Sequence, residues 1–373
     1  MARAVARPGE TNGNGVRSGR ARHRRCWHVR LPDPETPLDP LVLTIAFLLG
    51  SAAVIYFACE FFVNGVEWVG RKFAVGEKAT GTILAAFGTA LPESVVTFVA
   101  VAFGGSQAQK AIGIGAALGG PLVLATIAYA VVGWSLYLTK RQLPTGEVAH
   151  ADFGKLSRDQ TWFAAIFVVK LRLGLVLFAF KPWLGIAFLA AYAVYFWKEM
   201  RGGDDDDLEG AELEPLKFAP KSATPSTLMA LLQTLVALVL IFFASRFFVS
   251  QIDVLGPMLG IKPQLLALLV SPIATELPET LNAIIWIRQG KVRLALANIS
   301  GAMMIQATVP TAFGLFFTPW LLDRSSVLAG VVTLGAVIIL LLAFRTGRVS
   351  KALLSSMALG YATFAVLLVI LRP

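Results

Sequence analysis

Charge, cysteine and histidine are all scarce in this chain, and each scarcity excludes something. Only 15% of the 373 residues are charged, 56% are apolar, and mean hydropathy is +0.69. A soluble domain carries about 25% charged and about 45–50% apolar residues, so a water-soluble globule is excluded. Two cysteines, Cys26 and Cys59, rule out a disulfide framework, an iron–sulfur protein and a Cys-rich zinc site. The three histidines, His23, His28 and His150, lie outside the apolar runs and leave little for a histidine-based metal centre. There is no Walker loop, no Rossmann fingerprint and no nucleophile–base constellation, so nothing supports an enzyme or a resident cofactor.

What is present is apolar sequence in runs near the length of about 20 residues that a helix needs to cross a bilayer. Ten such runs lie at about 41–68, 80–103, 111–138, 160–180, 182–197, 227–250, 264–287, 294–319, 326–344 and 352–371. The expected fold is an all-α membrane protein with ten transmembrane helices and the lipid bilayer as its partner. Lys170 and Arg172 interrupt the fourth run, where a mid-bilayer charge costs about 2.5–3.5 kcal/mol. They face a polar interior, or the span breaks there.

Two segments differ in kind. Residues 1–36 hold eight arginines and read as a disordered basic tail. A solvated tail is preferred there over binding to nucleic acid or anionic lipid, despite the net charge of +10. Residues 199–226, with Asp204 to Asp207, read as an acidic flexible linker whose spacing matches no EF-hand. These segments divide the chain into 37–198 and 227–373, with five spans each.

Loop charge sets the expected orientation. Loops 1–2, 3–4, 5–6, 7–8 and 9–10 hold three or four Lys and Arg each. The alternate loops and the C-terminus hold one each. Cytoplasmic loops carry the excess, which puts both termini outside and the 199–226 linker in the cytoplasm of a bacterial inner membrane. The arginine-rich tail argues the other way, against five concordant loops.

Shifted by 186 residues, the two halves overlay. Phe57-Ala58 meets Phe243-Ala244, Phe61-Phe62-Val63 meets Phe247-Phe248-Val249, and Gly70 meets Gly256. Thr89, Leu91, Pro92 and Glu93 meet Thr275, Leu277, Pro278 and Glu279. Two similar halves with an odd number of spans enter the membrane from opposite sides. This is an inverted-topology repeat, with binding expected at the midplane on interrupted helices.

The chemistry concentrates in the two Leu-Pro-Glu spans. Each proline deletes an amide donor and displaces the carbonyl four residues earlier, Gly88 for Pro92 and Ala274 for Pro278. The Thr89 and Thr275 carbonyls are expected to be disturbed as well. Freed carbonyls at membrane depth are tolerated only in a protein interior or a wet cavity. The glutamate after each proline adds an anionic oxygen, and an intramembrane carboxylate marks function by default. Such oxygens suit Na⁺, Ca²⁺, Mg²⁺ or Mn²⁺ rather than soft metals.

With these motifs the sequence resembles the cation/Ca²⁺ exchanger superfamily, whose two alpha-repeats each carry Gly-Thr-Ser-Leu-Pro-Glu followed by a Gly/Asn-rich helix. Gly88-Thr-Ala-Leu-Pro-Glu93 departs only at Ala90, and Ala274-Thr-Glu-Leu-Pro-Glu279 at Ala274 and Glu276. The second motif is eroded. Residues 115–124 keep only its glycines, and residues 297–306 keep Asn298 and Gly301, with Gln306 at the final ligand position. The resemblance implies Glu93 and Glu279 as central cation ligands, carbonyl oxygens from Thr89 and Thr275, and an amide oxygen from Gln306. It also implies Ca²⁺ or another hard cation as cargo, Na⁺ or H⁺ as coupling ion, and a sliding first helix in each half. The family's serines are replaced by Ala90 and Gly120 in one half and by Glu276 and Ala302 in the other, and Leu124 fills the first half's last ligand position.

Three readings stand at this point. The first is a Na⁺/Ca²⁺-exchanger-like antiporter. The second is a proton-coupled divalent exchanger of the same fold, invited by a third carboxylate, Glu276, if it lines the site. The third is a non-transporting scaffold or sensor, suggested by the eroded second motif. Glu60, Asn64 and Glu67 share a helix face, with Arg246, Ser250 and Asp253 as repeat mates, and form either a polar vestibule or helix ends at the interface.

Overall fold

The computed structural model describes residues 39–72, 91–144, 146–202, 214–222 and 224–371. No β-strand occurs among them. Helix α1 spans Pro40–Lys72, α2 Leu91–Phe103 and α3 Gln107–Leu138. Helix α4 spans Gly146–Leu173, and a 3-10 turn at Lys181–Trp183 leads into α5, Leu184–Gly202. The second half holds α6 (Thr227–Met258), α7 (Pro263–Thr275) and α8 (Leu277–Arg288). It continues with α9 (Val292–Phe317), α10 (Arg324–Thr346) and α11 (Lys351–Leu371). Six of these, α1, α3, α6, α9, α10 and α11, are long and apolar enough to cross a bilayer.

Helix starts follow short polar side chains. Ser106, Ser226 and Asp323 each accept a hydrogen bond from the backbone amide three residues on, which satisfies a donor the first turn leaves free. Gly347, at φ +66°, closes α10 in the left-handed conformation that a side chain resists. The fourth apolar run, 160–180, does not coincide with its helix. α4 begins at Gly146, carries Lys155 and Arg158 on an exposed face, and ends at Leu173. Lys170 and Arg172 therefore sit in its last turn rather than breaking it.

In chain order, α1, α3, α4 and α5 correspond to α6, α9, α10 and α11. Helices α1 and α6 pack on each other, and so do α4 and α10. The remaining contacts run crosswise: α5 packs on α9, while the start of α11 packs on the distal part of α3. Likewise α4 packs on α9, and α10 on α3. The halves are interleaved, so neither has a core of its own.

Helices α3 and α9 form the centre, with 89% and 78% of their most apolar windows buried, against 28% for α1 and 22% for α6. Small residues allow the closest approach. A Cβ on Gly115 would stand 2.2 Å from the Gln264 carbonyl oxygen, and one on Gly119 2.3 Å from that of Leu268. These two glycines, one turn apart on α3, let α7 pack backbone to backbone.

The polar faces of α1 and α6 each hold a neighbouring segment. The Trp68 indole donates to the Glu214 carbonyl, Asn64 accepts from the Lys217 amide, and Lys217 lies 3.7 Å from Glu60. Leu216 of this linker segment is fully buried. On α6, Asp253 accepts from Gln109 at the start of α3. The 1–36 tail and the acidic run Asp204 to Asp207 lie outside the described residues.

Candidate functional site

The break between α7 and α8 builds the site. Pro278 has no amide to donate, so the helical ladder lapses around Glu276, whose backbone stands at φ −95°, ψ 3°. Hydrogen bonds continue on either side, from the Glu276 amide to Pro272 and from the Thr280 amide to Glu276. The lapse lets two consecutive side chains, Thr275 and Glu276, both turn into the protein, where each is at most 3% exposed. Glu279 lies in the first turn of α8, where the exposed amides of the helix N-terminus favour a negative charge.

Across from this break stands α2, whose third residue is Glu93, fully buried. The Thr275 hydroxyl donates to Glu93 Oε2 at 2.7 Å, and its oxygen lies 3.3 Å from Glu276 Oε1. From α9 the Gln306 amide donates to Glu276 Oε1 at 2.6 Å. The Thr275 hydroxyl proton and the Gln306 amide serve two carboxylates, and the Thr97 hydroxyl also interacts with Glu93. Glu93 Oε1, Glu276 Oε2 and Gln306 Oε1 meet no hydrogen-bond donor among the described residues. A buried acceptor left unmatched costs about 1–3 kcal/mol, more when charged, so this group stands ready for a cation or a proton. Carboxylate and amide oxygens are the donor set of a hard cation.

Gly120 on α3 explains where Gln306 fits. A Cβ there would lie 2.6 Å from Gln306 Oε1, so the amide fills the space that a side chain at 120 would take.

The structure brings together four of the six expected residues: Glu93, Thr275, Glu276 and Gln306. Thr275 enters through its hydroxyl, a role beyond the carbonyl expected of it. Glu276 faces the group rather than away from it. Glu279 is fully buried and within electrostatic reach of Tyr56 and Cys59 on α1. No three acidic, His or Cys side chains among the described residues converge closely enough to hold one metal ion, so the three glutamates do not share a single point. Thr89 lies outside the described residues.

Of the two readings of Lys170, a polar interior or a broken span, the structure shows the first, but sequence reasoning gave this residue no place beside the site. Its side chain is fully buried, and its ammonium donates to the carbonyls of Ala117 on α3, at 2.7 Å, and Gln306 on α9, at 3.3 Å. It interacts electrostatically with Glu93. A second polar network was missed as well: Gln160 of α4 donates to Tyr129 and Ser300, joining α3, α4 and α9.

The sequence model of the family described as "Sodium/calcium exchanger protein" matches residues 43–198 and 229–370, which are the two halves either side of the linker. The chain is 25% identical over 297 residues to "Inner membrane protein YrbG" of Escherichia coli (strain K12), covering 76% of this chain and 82% of that protein. Among solved structures, the H⁺/Ca²⁺ exchanger CAX matches with a TM-score of 0.67 at 17% identity, over 87% of this chain and 82% of that one. The sodium-calcium exchanger NCX_Mj matches with a TM-score of 0.54 at 17% identity, over 87% of this chain and 99% of the other. Matching helices in both halves and a shared fold lead to one conclusion: the chain belongs to the sodium/calcium exchanger protein family, a family of membrane exchangers rather than enzymes.

Proposed function

We propose that this chain is a secondary-active cation antiporter that carries Ca²⁺ or another hard divalent cation through a site at Glu93 and Glu279. The observation that carries the reading is the buried oxygen group at the α7–α8 break, where Glu93, Glu276 and Gln306 each keep an oxygen without a donor. The cargo replaces the missing donors, and Thr275 holds the Glu93 carboxylate in position for it. Thr89, as the repeat mate of Thr275, supplies the equivalent oxygen from the first half. A gradient of Na⁺ or H⁺ drives the exchange, with no bound cofactor.

The reading includes a topology. Ten spans make two inverted five-helix repeats, with α7 and α8 together forming one interrupted span. Both termini lie outside, and the linker lies in the cytoplasm. Helices α1 and α6, far less buried than α3 and α9, slide against the centre to alternate access. A cysteine placed in the 204–212 stretch should be shielded from an impermeant thiol reagent in intact cells. Labelling there overturns the orientation.

Proton coupling is the second reading, and one contact favours it. Glu93 and Glu276 are bridged by a single hydroxyl, so two carboxylates crowd where the family motif has one. In Na⁺-free proteoliposomes, ⁴⁵Ca²⁺ uptake driven by a pH jump supports proton coupling, and uptake only with a Na⁺ gradient supports the first form. No uptake of ⁴⁵Ca²⁺ or Mn²⁺ under any cation gradient overturns both and leaves a scaffold or sensor role.

A further inference from the structure

Two prolines sit inside the central helices, Pro121 in α3 and Pro310 in α9. A proline within a helix leaves the carbonyl four residues earlier without its amide partner. For Pro121 that carbonyl belongs to Ala117, and for Pro310 to Gln306. These are the two carbonyls that accept from the Lys170 ammonium. Helix α4 has delivered a cation to the one place where the two central helices both open their backbones. The aromatic rings of Phe167 and Trp320 stand 5.2 and 5.8 Å from the ammonium, and the Trp320 indole donates back to the Lys170 carbonyl. Backbone carbonyls freed by prolines in two helices, with a carboxylate within electrostatic reach, are the surroundings of an unhydrated monovalent cation inside a membrane protein.

Charge balance points the same way. Glu93, Glu276 and Glu279 are each at most 1% exposed, and so is Lys170. A buried charge without compensation costs several kcal/mol, so the charges in this interior must nearly cancel when the site is loaded. Buried Asp159 and Lys181 offset each other, and the three glutamates against the Lys170 ammonium leave two negative charges, the complement of one divalent cation. Without the ammonium, the same interior calls for one more positive charge.

We propose that the Lys170 ammonium occupies a monovalent-cation site formed by the Ala117 and Gln306 carbonyls, as a tethered substitute for one inorganic ion. The assignment rests on the exchanger reading for the meaning of the site, but its geometry and its test do not. In the native chain this position takes no Na⁺, so fewer monovalent ions are needed for each divalent ion bound.

The test measures thermal unfolding of the purified full chain in detergent, at constant ionic strength, in choline, Na⁺ or methylammonium chloride. Wild type should be indifferent to the choice. Lys170→Met should unfold at lower temperature in choline and be restored saturably by Na⁺ or methylammonium, with an apparent affinity about tenfold or more above any wild-type response. Lys170→Arg should keep the wild-type pattern. Lys170→Gln separates charge from hydrogen bonding, because it keeps a donor without the charge, and should behave like Lys170→Met. A Gln variant that behaves like wild type overturns the assignment, since the ammonium would then be only a hydrogen-bond donor. Neutral variants that ignore the monovalent ion, or stay unfolded in every salt, overturn it too. Ca²⁺ or Mn²⁺ added to wild type in the same assay reads the exchanger proposal separately. Absence of divalent stabilisation counts against that proposal and leaves the monovalent result to decide on Lys170.

Discussion

The two halves of this chain share a plan and divide the chemistry unequally. The first half brings one carboxylate, Glu93, one ammonium, Lys170, and a wall of glycines on α3. The second half brings two carboxylates, a hydroxyl and an amide, from Glu276, Glu279, Thr275 and Gln306. Gly120 and Gln306 make the complementarity concrete, because the side chain of one occupies the room left by the other. The contacts between the halves set the backbone frame, since each half packs on the other. They do not fix the side chains at the centre, where a loss on one side is offset by a gain on the other.

The strongest way to break this comparison is to neutralise the repeat-mate glutamates one at a time. Glu93→Gln and Glu279→Gln should each lower divalent exchange about 100-fold or more in a proteoliposome flux assay, equivalent to about 2.7 kcal/mol of barrier. A large loss in only one of them would mean that the halves are unequal at the ion itself. Rates above about a tenth of wild type in both would place the site elsewhere.

Glycine substitutions sharpen the contrast between α3 and α9. Gly119→Ala drives a methyl into the Leu268 carbonyl and should cost about 1–3 kcal/mol, read as a lower unfolding temperature and poorer yield. Gly301→Ala on α9 meets nothing within 4 Å and should be neutral or stabilising by up to about 1 kcal/mol. Equal effects at the two positions would contradict the close approach of α7 to α3 at Gly119.

The Gly120–Gln306 pair is a direct test of compensation. Gly120→Ala crowds the amide, while Gln306→Ala removes it together with its hydrogen bond to Glu276. In a thermal double-mutant cycle the double variant should be more stable than the sum of the singles implies, by about 0.5–3 kcal/mol. Additive losses would show that the two residues do not share the space.

The smallest expected effect concerns Thr275. Thr275→Val keeps the shape but removes the donor to Glu93 Oε2, and should cost about 1 kcal/mol of stability in the ion-free protein. Thr275→Ser should restore most of it. A valine variant as stable as wild type would mean that another donor replaces the hydroxyl.

Much of this was legible along the chain because the bilayer is a demanding solvent. A run such as 227–250 needs no tertiary information to be read as a span, since unpaired backbone groups cannot stay in hydrocarbon. The Leu-Pro-Glu pair was legible for a related reason, because an intramembrane proline and carboxylate are too costly to occur twice without use. The true bounds of α4 were not legible, because its first half is polar and its end is set by packing. Whether Glu276 faced inward was also beyond the sequence, since a residue at a helix break can turn either way.

Lys170 shows best where each kind of information stops. The sequence by itself determined the all-helical membrane class and the likeness of the two halves, and it supplied the residues proposed to meet a hard cation, because hydropathy and covalent chemistry are local properties. Only the tertiary structure decided that a lysine in α4 reaches two proline-freed carbonyls on α3 and α9, and that Gln306 fills the space at Gly120. The physical reason is that charge compensation and close packing belong to the space between helices, and residues far apart in the chain meet there only after folding.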